Sequence, residues 1–443
     1  MSAASDPPSP ETSPDRRPSP LATEATPPPP LPDIRLPVFP PGATVAVAMS
    51  GGVDSSVAAA LCAASGNPVV GIMLRLWAEP GARAENKCCH PGAILDAQAA
   101  ASILGIPFSV LDATDVFYDT VVEPFLAAAA AGDTPNPCFS CNRQMRFGYL
   151  LAQARALGAD FLATGHYARV GRDAEGRRTL LRGVDPAKDQ SYMLHRLGQE
   201  ELRHAAFPVG VYTKPQVRLL AAHWGLPAAT RADSMDLCWT GTDGVAGFLT
   251  RRLPAGLVRE GAIVDRAGRE LGRHHGLPTY TLGQRRGIGV AGGAPLYVTD
   301  LDREQNRLVM GPEQDLLTAG LRLDRLHWVS GAPPQPDAPL EAMVRYRAQS
   351  VPARLRPLDD GAALLRFAAP QRAPTPGQGL VLYEGERVLG GGRIDRRLTA
   401  AELDAAGLNA LERDAMGPAA SGADADATET SPAAIPPPSE TAP

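Results

Sequence analysis

The chain has 443 residues and a formal net charge of −5, with 44 prolines and six cysteines. No apolar run reaches the ~20 residues that span a bilayer, and six cysteines are too sparse for a disulfide scaffold. The charge is unevenly placed: residues 1–40 carry −2, residues 401–443 carry −7, and residues 41–400 carry +4. A mildly basic core is compatible with a nucleic-acid partner.

Residues 1–40 hold 13 of the prolines, and residues 399–443 are rich in Ala, Ser, Thr, Asp and Pro. Neither has the apolar content for a core, so both are expected to be disordered tails. The N-terminus lacks the apolar stretch of a signal peptide and is too acidic for a transit peptide, so a bacterial cytoplasm is expected.

Val45 to Met49 reads as a buried strand, Ser50 to Ser56 as a tight turn, and Val57 to Leu61 as a helix start. Val69 to Leu76 predicts a strand, 93–104 a helix, Phe108 to Leu111 a strand and 116–131 a helix. A further helix over 145–157 leads into strand Phe161 to Thr164. Such alternation implies a doubly wound α/β parallel sheet over 41–240, with ligands beyond the carboxyl ends of its strands. Helices are expected over 215–224 and 245–253. After about residue 255 short strands and turns dominate. They suggest a small β-rich central domain, 241–312, then a C-terminal β-barrel, 313–398, with strands near 296–300, 364–367 and 380–383.

Ser50-Gly51-Gly52-Val53-Asp54-Ser55-Ser56 is the most informative stretch. Two adjacent glycines permit positive φ and close approach of backbone N–H groups to a ligand. With a helix N-terminus behind them they form an anion cradle suited to a pyrophosphate. Asp54 could hold Mg²⁺ there, and Ser55 and Ser56 offer hydroxyls to phosphate or to the helix cap. There is no Gly-Lys-Ser/Thr, so it is not a Walker A loop. The stretch resembles that of the ATP pyrophosphatases, which split ATP into AMP and pyrophosphate.

Cys138 and Cys141 lie in Thr134-Pro135-Asn136-Pro137-Cys138-Phe139-Ser140-Cys141-Asn142-Arg143, where a helix is expected to begin near Asn142. A cysteine at a helix start beside Arg143 and Arg146 is expected to have a lowered pKa. From spacing alone the pair fits half a metal site, a redox or sulfur-transfer pair, or two ordinary thiols. Cys88-Cys89-His90 reads as a loop accident and Cys62 as core. Cys238 stands far downstream in Asp236-Leu237-Cys238-Trp239. His166 follows a strand, and Lys188-Asp189-Gln190 precedes a helix. Arg345-Tyr346-Arg347 alternates cations with a stacking ring, which suits RNA and equally an exposed strand face.

Taken in order, these segments resemble the bacterial tRNA-specific 2-thiouridylases, which make 2-thiouridine at the anticodon wobble position. The resemblance covers nearly all of residues 43–395. It also includes Leu181-Arg182-Gly183, Phe207 to Gly210, Asp233 to Gly241, Tyr280 to Gly287 and Leu389 to Gly392. It implies that Ala48, Met49, Ser50, Gly51, Gly52, Val53, Asp54 and Ser55 hold the phosphates of ATP with Mg²⁺, and that Met73 and Gly165 line the adenine pocket. Cys238 would carry a persulfide delivered by a sulfur-relay protein fed by a cysteine desulfurase. Cys141 would be the nucleophile that forms a redox disulfide with Cys238. Asn136, Pro137 and Cys138 would border the flipped base, and Lys188, Asp189, Gln190, Arg345 and Tyr346 would contact tRNA. No tightly bound metal is implied, and a monomer is the default. Cys138 stands where many family members carry Asp, which leaves the base unassigned. Ser234-Met235-Asp236-Leu237 replaces a commoner Gln-Gly-Ile, so the persulfide loop is expected to have its own shape.

Overall fold

Alternating buried faces organise the first domain. A computed structural model describes residues 30–79, 91–227, 237–241, 243–290, 294–335 and 338–408. The expected tails before residue 30 and after 408, Cys88-Cys89-His90 and Ser234 to Asp236 lie outside the described residues. Strand β1 (Val45–Ala48) leads to helix α1 (Val53–Ala64), β2 (Val69–Arg75), α2 (Pro91–Ile103) and β3 (Phe108–Asp112). Next come α3 (Thr114–Phe117), a π-helical turn at Tyr118–Val122 and α4 (Glu123–Ala131). Then follow α5 (Pro137–Ser140), a π-helical stretch Cys141–Leu150, α6 (Leu151–Ala156) and β4 (Phe161–Thr164). Helix α5 starts earlier than the sequence predicts because Pro137 sits at its first position and Asn136 caps it.

A hairpin follows, β5 (Ala168–Arg172) and β6 (Arg178–Arg182), then α7 (Ser191–Leu194), α8 (Gln199–His204), β7 (Ala205–Ala206), α9 (Lys214–His223) and α10 (Gly244–Arg252). The first sheet has order β3-β2-β1-β4-β7, and every pairing is parallel. Val45 and Val47 face one apolar core with α1, α2 and α9, while Ala46 faces a second with α6. Burial on both faces is why these strands read as continuous apolar runs.

Strands β8 (Gly261–Asp265), β9 (Glu270–His274), β10 (Tyr297–Asp302) and β11 (Arg307–Gly311) form the central sheet, in order β10-β11-β8-β9. The barrel comprises β12 (Leu317–Trp328), β13 (Leu340–Met343), β14 (Val351–Pro357), β15 (Ala363–Arg372), β16 (Gly379–Glu384) and β17 (Arg387–Leu398). Pairing of β12 with both β15 and β17 closes it and removes free edges. The hairpin, which the sequence reading did not foresee, adds its β6 to β17 of the barrel, Leu181 opposite Arg387 and Leu180 opposite Val388. On β16, Leu380 and Leu382 fill the barrel, while Val381 and Tyr383 pack into the second core of the first domain. The barrel is thereby seated on the α/β domain through one strand with two buried faces.

Two boundaries differ from expectation. Ile34, Leu36 and Phe39 pack against the first core, and the Arg35 backbone bonds to the Tyr212 hydroxyl. A final helix, α11 (Ala400–Ala405), buries Leu403 against the barrel. Both segments carry a few apolar residues at the right spacing within polar surroundings, so composition averages concealed them. No helix among the described residues is long and apolar enough to cross a membrane.

Candidate active site

Strand β1 lies between β2 and β4 with Ala48 level with Ile72 on one side and Thr164 on the other. The chain order reverses at this point, so a crevice opens beyond the ends of β1 and β4, with β2 along its side. Gly51 has φ +71°, and a Cβ there would run into the Ala93 carbonyl of α2. A Cβ on Gly165 would lie 2.6 Å from the Ser55 amide nitrogen, so the loops after β1 and β4 touch backbone to backbone. Ser55 Oγ accepts from Ser50 N–H at 3.2 Å and donates to Gly52 O at 3.0 Å; Ser56 Oγ donates to the same carbonyl. The serine hydroxyls therefore brace the turn. No side chain caps α1, and its first turn, Val53 to Ser55, lies on the cleft wall.

The cleft measures about 690 Å³. All ten residues expected to hold ATP line it: Ala48 to Ser55, Met73 and Gly165. Cys141, Lys188, Gln190 and Tyr346 share its wall. Among the described residues on the wall, four cations, Arg146, Lys188, Lys214 and Arg347, stand with one carboxylate, Asp54, so the field there is net positive.

Lys214 escaped the sequence reading. Its ammonium lies 2.7 and 2.8 Å from the two Asp54 oxygens, and Tyr167 donates its hydroxyl to Asp54 Oδ1 at 2.7 Å. Lys214 is the first residue of α9, where a cation opposes the helix dipole. That misplacement was the signal available in the sequence. The Asp185 carboxylate compensates by accepting the Lys214 backbone N–H at 2.8 Å.

Cys138 and Cys141 are one helical turn apart. Asn136 Oδ1 accepts the Cys138 N–H at 3.1 Å. Arg146 reaches Cys141 Sγ at 3.8 Å and Asn142 Oδ1 at 3.0 Å, whereas Arg143 turns away to pair with Glu201. Trp239, beside Cys238, is 3% exposed. Its ring meets Phe248 at 4.9 Å and Phe125 at 5.4 Å, both edge-on, with Trp77 and Phe117 around it. Cys141, Met145 and Cys238 join this same cluster, so the two distant cysteines share one apolar neighbourhood. Among the described residues no three metal-binding side chains gather.

Asn136, Pro137, Cys138, Cys238, Asp189 and Arg345 are not on the cleft wall. Asp189 accepts from Gly183 N–H, Ser191 N–H and Ser191 Oγ, so its carboxylate holds the turn that presents Lys188. Gln190 Oε1 likewise holds the Tyr167 N–H at 3.0 Å. From the barrel, Arg347 reaches the cleft, with φ +63°.

The chain matches three family models in succession: the tRNA methyl transferase HUP domain over 43–242, the tRNA methyl transferase PRC-barrel domain over 246–312, and the aminomethyltransferase beta-barrel domain over 318–394. Together these models place the chain among three-part proteins of the tRNA-modifying class. A protein of Chloroflexus aggregans named "tRNA-specific 2-thiouridylase MnmA" is 48% identical over 356 residues, covering 80% of this chain and 99% of that relative. One of Roseiflexus castenholzii with the same name is 46% identical over 372 residues, covering 80% and 100%. The chain belongs to the tRNA-specific 2-thiouridylase family. Among solved structures, "Crystal structure of a 4-thiouridine synthetase - RNA complex with bound ATP" matches 48% of this chain and 47% of that one, at 14% identity and a TM-score of 0.30.

Trp239→Ala is expected to cost about 3–5 kcal/mol by emptying the aromatic cluster. Urea denaturation measures the loss, and an unchanged midpoint would contradict the role given to the ring. Burial, with Arg146 nearby, lowers the His166 pKa to about 3, and burial also takes His195 to about 3. Both stay neutral in the fold, whereas the unfolded chain protonates near pH 6.5. Stability is therefore full above that pH and falls as pH drops towards 3, each histidine adding up to about 1.4 kcal/mol per pH unit. His166→Gln should remove its share of that slope in denaturation curves measured across this range.

Proposed function

We infer that the protein thiolates C2 of the wobble uridine of tRNA in the cytoplasm, consuming ATP. The observation that carries this reading is Cys141 on the wall of an ATP-sized, cation-lined cleft, with Cys238 in the same apolar cluster. The uracil O2 is a poor leaving group until it is attached to phosphate. In the first step O2 attacks the α-phosphorus of ATP. The O2–P bond forms, and the electron pair of the broken P–O bond leaves with pyrophosphate. The open N–H groups of α1, with Lys214 and Arg146, oppose the charge that develops.

Asp54, the one carboxylate on the wall among the described residues, fits a divalent cation held chiefly by ATP's own phosphates; such a cation would neutralise further charge there. Met73 and Gly165 would bound the adenine.

A relay protein fed by a cysteine desulfurase would load Cys238 as a persulfide. Its terminal sulfur attacks C2, Cys141 attacks the inner sulfur, and AMP departs with O2. The product is 2-thiouridine and a Cys141–Cys238 disulfide, which a cellular dithiol reopens. Arg146, 3.8 Å from Cys141 Sγ, favours negative charge on that sulfur. Asn136, Pro137 and Cys138 would border the flipped base, whose removal from its stack is required for access. Lys188, Asp189, Gln190, Arg345 and Tyr346 would form the tRNA contact, Asp189 by shaping the turn.

Cys238→Ser is expected to abolish thiolation, read by mass spectrometry of digested tRNA, while tRNA affinity stays within about twofold. Normal thiolation by that variant would overturn the assignment. Lys214→Gln should slow tRNA-dependent pyrophosphate release by about 10²-fold. An unaltered rate would remove Lys214 from the adenylation step.

A further inference from the structure

A second basic concavity lies on the other side of the parallel sheet. It is bounded by Gly42–Ala43 before β1, by Asp160–Phe161 at the start of β4, by the tip of the β5–β6 hairpin and by α8. These are the amino ends of the strands whose carboxyl ends carry the ATP cleft. Its volume is about 1030 Å³, far more than a single phosphate fills.

Five guanidinium groups line it: Arg155, Arg172, Arg177, Arg178 and Arg203. The acids there are already committed. Glu175 pairs with Arg177 at 3.0 Å and Asp160 accepts the Thr44 N–H at 2.9 Å, while Arg203 pairs at 2.9 Å with Glu200, which lies off the lining. Among the described residues Arg155 and Arg178 have no carboxylate partner. Arg178 is the more telling. Gln199 clamps its backbone N–H and C=O at 2.8 Å each, so the residue is fixed. Its Nε is buried without an acceptor, and the nearest charge acting on it is the like charge of Arg172. A half-buried guanidinium with a like charge near it and no carboxylate beside it is stabilised by an anion in the crevice.

We propose that this crevice binds the phosphodiester backbone of the tRNA substrate, extending the footprint from the cleft round the edge of the sheet. The inference rests on tRNA being the substrate. Two features favour a polymer over a free ion. The arginines sit on α6, on the β5–β6 hairpin and on α8 around an open rim rather than converging on one point. The hairpin also connects the two sites: it leaves the cleft at Tyr167, reaches the crevice at Arg172 to Arg178, and returns to the turn bearing Lys188. At about 3.3 Å per residue its five-residue strands span roughly 17 Å, a distance a few nucleotides of backbone cover.

The test uses the full chain and an unmodified tRNA transcript, with dissociation constants measured across a salt series. The double variant Arg155→Gln/Arg178→Gln is expected to weaken binding about tenfold. It should also reduce the slope of log affinity against log salt by about 1.5, the share of two phosphate contacts. The KM for ATP and the rate at saturating tRNA should match the parent. If the half-buried Arg178 change lowers thermal stability, Arg155→Glu/Arg172→Glu on the exposed rim must show the same loss. Parent-like affinity and slope in a folded variant would overturn the proposal. So would tight binding of inorganic phosphate or pyrophosphate that the variant loses while tRNA binding is intact, or loss of sulfur delivery alone, which would mark a site for an acidic protein. A parent that fails to bind the transcript would instead sink the reading of tRNA as substrate, before any variant is compared.

Discussion

Parallel pairing of β1 with β2 on one side and β4 on the other is the constraint from which the site follows. It sets Ala48, Ile72 and Thr164 at one level, so the loops after β1 and β4 leave the sheet together while β2 runs on to Arg75 beside them. Only then do Gly51, Met73 and Gly165 face a common space. The closeness of that arrangement explains the glycines better than ligand approach alone. Gly51 is pressed against α2 and Gly165 against the backbone of Asp54 and Ser55. A loop packed this tightly has its amides oriented before any anion arrives, which lowers the reorganisation needed on binding.

A second constraint is apolar. Trp239 fixes the segment that bears Cys238 by burying an indole among Trp77, Phe117, Phe125 and Phe248. The helical run that carries Cys141 contributes to the same cluster. Two cysteines distant in sequence are thereby brought into one apolar neighbourhood by ring packing, with no covalent link required to place them. The adjoining π-helical stretch re-aims side chains along the helix, a feature often found at functional sites.

The barrel is joined to the α/β domain by a strand addition and by a polar relay. Arg182 stacks on Tyr383 of the barrel at 3.6 Å and lies 3.6 Å from Asp189. Asp189 shapes the turn of Lys188 to Gln190, Gln190 holds Tyr167, and Tyr167 holds Asp54 of the glycine loop. Barrel and glycine loop are thus connected through a cation–π contact, an ion pair and consecutive hydrogen bonds.

Local signals determined much of this protein. Apolar runs separated by turns specified the parallel sheet, and Gly51-Gly52 ahead of a helix specified the tight turn into α1. Both rest on short-range sterics and hydrogen bonding, so they are legible residue by residue. The β5–β6 hairpin was missed because its stability comes from β17, more than two hundred residues away. The helix start at Pro137 was misplaced because an Asn-Pro cap reads as extended chain until its amide bond is seen. Tertiary structure alone decided that Lys214 meets Asp54, that Arg146 rather than Arg143 attends Cys141, and that Arg347 reaches the cleft while Arg345 does not. The direction a long charged side chain takes is set by neighbours distant in sequence, and no local pattern encodes them.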